Sequence, residues 1–292
     1  MAQDKFPMEI TPHVKILGNY FFNLFLVIGR NKSALFETGI SGVIDSVIGQ
    51  LGALGISPDY LIPSHPHSDH ITGLPGLIKE FPRAEVVLGA GANKFITHPK
   101  AGPLLVKEDS FMSRGLEKMG IKPGRPSLEK IPGLSESIVV ENRKSLDLGG
   151  DIVLDLIKVD GHSPGNLMGF VKKDRALFCS DSLGFHFPGR GFWPLFFTNT
   201  HEYLSTIDLI QAFEPLVLCP AHQGPFKDTA KAILASRKMT LSTIKRINKT
   251  PFSDKKLSLE MFEESYQDEF TLYTESNIKN CNHLLIKRAR EI

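Results

Sequence analysis

The chain is poor in cysteine, and the few cysteines it has lie far apart. Its 292 residues include three, Cys179, Cys219 and Cys281, with no paired spacing. An odd number at such distances argues against a disulfide scaffold and favours a reducing compartment. The N-terminus also lacks the basic and apolar regions of a signal peptide. We therefore expect a cytoplasmic protein.

Long apolar runs and a strong excess of one charge are also missing. The apolar run Phe21–Ile28 is too short to cross a bilayer and fits a core strand. The formal net charge of +2 is too close to neutral to indicate a nucleic-acid or membrane partner. The composition, 41% hydrophobic and 23% charged, is that of an ordinary globular protein. These absences favour a small-molecule substrate over a nucleic acid or a membrane. Whether the protein forms a homodimer is left open.

The sequence does hold a concentration of histidines in one short motif, His-Pro-His-Ser-Asp-His. It follows the apolar residues 60–63, which are typical of a buried strand, and precedes a predicted helix start. In an extended segment, residues two apart point to the same side, so His65 and His67 can bind one ion together. Asp69 and His70 lie at the turn into the helix and can face a second ion. The alternative is that these are exposed loop residues.

Three later polar residues each end a predicted strand. His162 lies in a Gly-His-Ser-Pro-Gly turn, Asp181 follows the apolar run Leu177–Cys179, and His222 follows a last short strand. The carboxyl ends of strands in α/β sheets gather at one edge, where sites form. Taken singly, the three could be a turn residue, a helix cap and a buried rim histidine. Together with the first motif they indicate a metal site, because metal sites are clusters.

The order of these motifs resembles the metallo-β-lactamase superfamily, and the resemblance covers about residues 12–225. It implies an α/β fold, a four-layered αββα sandwich with its site at one edge between the two sheets. From residue 226 onward only long helical patterns follow. We therefore divide the chain into a catalytic domain, 1–225, and a helical C-terminal extension, 226–292, that covers the site.

The resemblance also implies a role for each motif residue. The first metal would be bound by His65, His67 and His162, the second by Asp69, His70 and His222, and both by Asp181. Residues 177–184, residues 193–195 and the helical tail resemble the quinolone-signal response thioesterases of this superfamily. Glu37 stands where an aspartate is commoner in the superfamily, and its role is left open.

The predicted ligands are nitrogen and oxygen atoms, which suit two divalent ions, Zn²⁺ with Fe or Mn as alternatives. A structural zinc site would usually be closed and rich in cysteine. Two ions about 3.5–4 Å apart would instead lower the pKa of a water to about 7, and the resulting hydroxide would attack a carbonyl carbon. Asp69 could orient this nucleophile or shuttle a proton, which makes it the candidate catalytic residue.

The substrate class follows from the leaving group. A thiolate leaves with little help, whereas an alkoxide or amine needs an acid, for which the sequence shows no candidate. We therefore predict a metal-dependent hydrolase of a thioester or similar activated acyl compound. The alternatives are a lactonase, with Tyr203 as the tyrosine nearest the site loop, and a regulatory protein that acts through partners and has a secondary metal site.

Two segments could select the substrate. Residues 185–197 are rich in aromatic rings and chain breakers, and we predict neither a regular helix nor a strand there but an apolar wall. The alternative is that these aromatic rings serve packing or a dimer surface. The basic side chains of 227–249 could meet the phosphates of a coenzyme A thioester or form a solvated face. The candidate substrate residues are Phe185, Phe187, Arg190, Trp193 and Phe196.

Overall fold

The structure, a computed structural model, describes residues 6–130, 134 and 136–292. Its strands, in chain order, are β1 (Met8–Thr11), β2 (Val14–Gly18), β3 (Asn23–Ile28), β4 (Ser33–Phe36), β5 (Tyr60–Ile62), β6 (Glu85–Gly89), β7 (Ile138–Val140), β8 (Arg143–Gly149), β9 (Ile152–Val159), β10 (Asn166–Val171), β11 (Ala176–Phe178), β12 (Phe185–Phe187), β13 (Gly191–Trp193) and β14 (Val217–Cys219). Strands β1 to β7 form one sheet in sequence order, antiparallel up to β4 and parallel from there. The second sheet has the order β14-β11-β10-β9-β8, in which only the β11–β14 pair is parallel.

The helices are α1 (Ile44–Leu54), α2 (Ser68–Ile71), α3 (Leu74–Glu80), α4 (Ala92–Ile96), α5 (Ala101–Lys118), α6 (Thr200–Ala212), α7 (Thr229–Lys249), α8 (Asp254–Ser265) and α9 (Glu275–Arg290). Short 3₁₀ turns are Ser41–Val43 before α1, Ser180–Leu183 between β11 and β12, and Asp268–Leu272 between α8 and α9. Helices α7 to α9 form the predicted C-terminal extension. Within the described residues, no helix combines the length and apolar character needed to cross a membrane.

The two sheets pack face to face because their strands are apolar on both sides. Along β3, Phe25 and Val27 point into the core between the sheets, whereas Leu24 and Leu26 point to the helices outside. This alternation follows from the two-residue period of a strand. The ring of Phe25 stacks on Phe178 of the other sheet, with centroids 5.1 Å apart. The predicted αββα sandwich is therefore confirmed.

The aromatic segment differs from the prediction, because part of it does form strands. Strands β12 and β13 pair in a small hairpin in which Phe185 faces Trp193 and Phe187 faces Gly191. The breakers Pro188 and Gly189 occupy the turn, where Gly189 has a φ of +80° that suits glycine. Aromatic residues, which favour strands, flank this turn on both sides.

Candidate metal centre

The histidine motif lies where β5 ends at the edge between the sheets. The segment after the strand is extended at His67, with φ −77° and ψ 157°, and α2 begins at the next residue. This change from extended to helical backbone places His65 and His67 on one side and Asp69 and His70 on the other. The local sequence therefore divides the motif as predicted.

Unusual backbone conformations bring the three later residues to the same edge. Gly161, before His162, has a φ of +103°, and a Cβ there would lie 2.3 Å from the Tyr203 backbone nitrogen. Ser180, before Asp181, has a φ of +46°, and Gln223, after His222, has a φ of +64°. A positive φ is costly for residues other than glycine and persists where the surrounding structure enforces it, often at functional sites.

All seven predicted ligands meet in one buried cluster. Their donor atoms form two groups, within each of which all atoms lie within 4.8 Å of one another: His65, His67, His162 and Asp181, and Asp69, His70, Asp181 and His222. The His65 Nε2 atom lies 2.9 Å from His67 Nδ1 and 3.1 Å from His162 Nε2. Asp181 belongs to both groups and lies between them. The structure thus brings the predicted residues together, while their roles as ligands stay predictions.

Partners on the second ring nitrogen turn most of these imidazoles inward. The Nδ1 atoms of four histidines have a partner outside the cluster: Ser64 Oγ for His65 at 2.9 Å, Glu37 Oε2 for His70 at 3.0 Å, the Leu195 carbonyl for His162 at 2.7 Å, and the Phe21 carbonyl for His222 at 2.6 Å. Such contacts leave Nε2 facing the centre, as partners behind metal-bound histidines do. Glu37, whose role the sequence left open, therefore orients His70.

Burial and charge set the protonation of the cluster. Burial lowers the pKa of His65 and His162, and it lowers the pKa of His67 to about 3. These three rings are therefore neutral at neutral pH, as metal ligands must be. Burial also opposes the charged form of His70, but the carboxylates of Asp69, Glu37 and Asp181 raise its pKa well above the usual value. This side of the cluster therefore attracts a positive charge.

The residues fit a metal by three criteria. The Nε2 atoms of His70 and His222 are buried and, in the described part of the chain, make no hydrogen bond of good geometry, although carboxylate oxygens lie 3.3 to 3.6 Å away. A buried group that lacks a hydrogen bond costs about 1–3 kcal/mol. Nitrogens bound to one tetrahedral ion at about 2.0–2.1 Å stand about 3.3 Å apart, near the spacing around His65. The donor set is free of thiolates and suits divalent ions. The cluster can therefore bind metal ions.

A cavity of about 350 Å³ opens above the cluster. His67, Asp69, His162 and Asp181 are at its base, and we call the seven-residue donor cluster the floor. Opposite are apolar side chains of α5 and of the C-terminal extension, which we call the roof: Leu104, Leu105, Phe270, Ile278 and Leu284. Among the residues that the structure describes, neither lysine nor arginine lines this cavity.

The candidate substrate residues separate into those at the cavity and those away from it. Phe185 lines the cavity, with its ring centroid 5.1 Å from that of His222. Phe187 and Trp193 line a different surface groove, and Phe196 is buried near Tyr203, with ring centroids 6.0 Å apart. Phe197, which the prediction did not single out, does line the cavity beside His162. Phe185, Phe187 and Trp193 lie on one face of the hairpin, so neighbouring side chains of a single face contribute to two surfaces.

Arg190 and two arginines of the basic segment 227–249 are paired with groups away from the cavity. Arg190 donates to Asp268 at 3.0 Å and to the Glu264 carbonyl at 2.5 Å, and it lines the groove of Phe187 and not the cavity. Arg237 pairs with Asp208 and Arg246 pairs with Glu264. These contacts favour the solvated-face interpretation of the basic helix over a coenzyme A contact.

One polar residue of the site escaped prediction because it lies in the extension. The Tyr273 hydroxyl donates to Asp69 Oδ2 at 2.7 Å, and its ring lines the cavity. Burial raises the pKa of Tyr273 well above the usual value, and the charge of Asp69 raises it further, so the hydroxyl remains a donor. No motif surrounds this tyrosine in the sequence. The tyrosine that the sequence favoured, Tyr203, accepts from the Leu195 backbone nitrogen instead.

Fold and site together define an αββα sandwich protein with a buried histidine–carboxylate cluster that can bind metal ions. The sequence profile of the metallo-β-lactamase superfamily matches residues 19–222. The chain therefore belongs to this superfamily, whose members are generally hydrolases.

Several proteins are similar to this chain in sequence or in fold. The Bacillus subtilis protein YobT is 23% identical over 252 residues, which is 79% of this chain and 100% of that protein. A solved metallo-β-lactamase family protein from Thermus thermophilus is similar with a TM-score of 0.66 and 20% identity, covering 97% of this chain and 95% of that one. An archaeal superfamily protein from Sulfolobus tokodaii has a TM-score of 0.59 and 21% identity, covering 94% of both chains. At these identities the solved structures support the fold alone.

Proposed function

We propose that the protein is a binuclear metal-dependent hydrolase that cleaves a thioester or a similar activated acyl compound. The main support is that two four-residue donor groups share Asp181 at the base of an apolar cavity. One ion would be held by His65, His67, His162 and Asp181, and the other by Asp69, His70, His222 and Asp181. When bound, such ions lower the pKa of water and polarise the bond under attack.

Asp69 is the residue we propose to handle the proton. Although burial opposes its charged form, the positive charge of His70 and contacts with His222 and His70 lower the pKa of Asp69 well below the usual value. Its Oδ2 atom lies 3.3 Å from His70 Nε2 and 3.4 Å from His222 Nε2, and it faces the cavity. An ionised carboxylate there can orient a water and accept its proton at Oδ2.

The cavity wall supports an uncharged, apolar acyl group. The side chains of Phe185 and Phe197 flank the floor, beside His222 and His162 respectively. The roof adds aliphatic and aromatic surface from α5 and the extension. A buried anionic group would find no cationic side chain among the lining residues, and burying an unpaired charge is costly.

A lactone is the second candidate, favoured by Tyr273. Opening a lactone gives an alkoxide, which needs a proton, whereas a thiolate leaves without one. The Tyr273 hydroxyl supplies a proton-bearing group next to Asp69 at the cavity wall. Turnover of a lactone should therefore depend more strongly on this hydroxyl than turnover of a thioester.

The first test is metal content of the full chain purified without chelator, together with turnover on a panel of acyl thioesters and lactones. We expect about two ions of Zn, Mn or Fe per chain and hydrolysis that a chelator abolishes. His67→Ala should bind less metal and lose activity, whereas His201→Ala, an exposed residue of α6, should match the wild type.

The substrate panel ranks the candidates. Faster turnover of thioesters than of lactones with the same acyl chain supports the first candidate, and the reverse order supports the second. A wild-type chain that binds no metal and hydrolyses neither class after reconstitution contradicts the proposal. The alternative of a protein acting through partners would then take its place.

A further inference from the structure

Tyr273 is the contact through which the C-terminal extension reaches the floor. It lies between the 3₁₀ turn Asp268–Leu272 and α9, well beyond residue 222, where the superfamily match ends. Its side chain is buried, and its hydroxyl donates to Asp69 Oδ2 at 2.7 Å. Asp69 comes from α2, so this bond joins parts of the chain about 200 residues apart.

Contacts on both sides hold Tyr273 in place. Its backbone nitrogen donates to the Phe270 carbonyl at 3.1 Å, and its carbonyl accepts from the Tyr266 hydroxyl at 3.1 Å. The next residue, Thr274, donates from its nitrogen to Glu108 Oε2 at 3.0 Å and from its hydroxyl to Glu108 Oε1. Glu108 lies on α5 and is itself buried. The position of the hydroxyl is therefore determined by the fold of the extension and not by a flexible loop.

We propose that Tyr273 is a positioning residue of the metal centre: its hydroxyl holds the Asp69 carboxylate in the orientation that directs Oδ2 toward His70 and His222. This inference rests on the proposed function. A carboxylate can rotate about its last side-chain bond, and a donor fixed on one oxygen removes that freedom. Without the hydroxyl, the buried carboxylate would also lack a donor that compensates for lost water.

The segment that matches the superfamily and the C-terminal extension therefore both contribute residues to the site. The predicted donors lie within the superfamily match, whereas the group that orients one of them lies outside it. Groups behind the ligands of metal sites typically contribute 10–100-fold to metal affinity or activity. The same range is expected here, for the ion beside Asp69.

The test compares Tyr273→Phe with the wild type in the full chain, by chelator competition with Zn²⁺ and by steady-state kinetics. We expect the Zn²⁺ ion beside Asp69 to bind about 10–100-fold more weakly, with kcat reduced and KM nearly unchanged at saturating Zn²⁺. Tyr60→Phe is the matched control, because that side chain is about as buried as Tyr273 but its hydroxyl accepts from Lys32 Nζ at 2.8 Å. It should leave Zn²⁺ affinity unchanged.

A second variant separates positioning from general stability. Glu108→Gln keeps the Tyr273 hydroxyl but weakens the anchor at Thr274, so it should lower Zn²⁺ affinity in the same direction by a smaller factor. If Tyr273→Phe binds both ions and turns over as the wild type does, the inference is wrong while the proposed function stands. If the wild type itself binds no Zn²⁺, the proposed function fails first and this inference fails with it.

Discussion

The floor and the roof of the cavity are held by different forces. On the floor, polar side chains are oriented by hydrogen bonds from behind, such as Glu37 to His70 and the Leu195 carbonyl to His162. The roof consists mainly of apolar side chains whose contacts are non-directional. The side chains of the floor are therefore held in precise positions, as the chemistry requires, whereas the roof tolerates changes of side chain. We expect substitutions on the floor to change the rate and those on the roof to change the substrate range.

The largest effect is expected at the one floor residue shared by both donor groups. Asp181→Ala removes a donor from each, so we expect loss of both ions and activity reduced by at least about 10³-fold. Metal content and kcat/KM on the best substrate measure this. His67→Ala, which removes a donor from one group only, should retain more metal than Asp181→Ala. Equal metal content in the two variants would contradict the shared role.

A smaller effect on metal binding is expected at Glu37, which contacts a floor histidine from outside the donor cluster. Glu37→Gln removes the charge of the side chain that contacts His70 Nδ1 at 3.0 Å. Metal affinity should fall about 10–100-fold, as measured by chelator competition. Glu85→Gln, at the exposed start of β6, is the control. An unchanged affinity in Glu37→Gln would mean that the backbone alone orients His70.

The roof should respond through substrate choice. Leu104 lines the cavity at its mouth and is 57% exposed, so Leu104→Asp should leave stability nearly unchanged. A charge there should raise KM about 10-fold for long acyl chains and not for acetyl substrates. Leu234→Asp, at a site 68% exposed on α7, is the matched control. Equal effects on short and long chains would contradict a roof that binds the acyl group.

The smallest effect on activity is expected far from both surfaces, at Asp174. Its carboxylate accepts from the His13 backbone nitrogen at 3.0 Å and from Thr11, and joins β1 and β2 to the other sheet. Although burial opposes ionisation, these hydrogen bonds lower the pKa of Asp174 below its usual value. Asp174→Asn should reduce the free energy of unfolding at pH 7 by about 1–3 kcal/mol and leave kcat unchanged.

The reduction in the free energy of unfolding caused by Asp174→Asn should depend on pH in a definite direction. Because the folded pKa is depressed, the stabilisation is present above the unfolded pKa of about 3.9 and is lost as pH falls through the lower folded value. The difference between wild type and Asp174→Asn should therefore shrink in acid, as followed by urea unfolding at several pH values. Asp151→Asn, in an exposed turn, should show no such trend. A constant difference across pH would contradict the assignment.

Much of the floor could be predicted because its pattern is local. His65, His67, Asp69 and His70 lie within six residues, and the change from strand to helix there decides which way each points. The contact between the extension and the floor could not be predicted in the same way. Tyr273 lies in a helical tail whose apolar pattern indicates only which face is buried, and its contact with Asp69 depends on how α5 and the extension pack.

The aromatic segment shows the same limit at shorter range. Its composition predicted an apolar wall, and Phe185 and Phe197 do line the cavity. Phe187 and Trp193 lie on the same face of the hairpin as Phe185, yet they line another groove together with side chains of α7 and α8. Composition reports how much apolar surface a segment carries, and the packing of other elements against that segment decides which surface each ring lines.

The sequence by itself indicated the predicted donor residues, because metal-binding motifs are short-range patterns, and the resemblance of these motifs to the metallo-β-lactamase superfamily implied the sandwich. The resemblance also implied two groups that share Asp181, and only the tertiary structure decided that Glu37 orients His70 and that Tyr273 reaches Asp69. These contacts join residues far apart in the chain, and their distances depend on side-chain packing between layers. Packing of that kind leaves no periodic trace in the sequence.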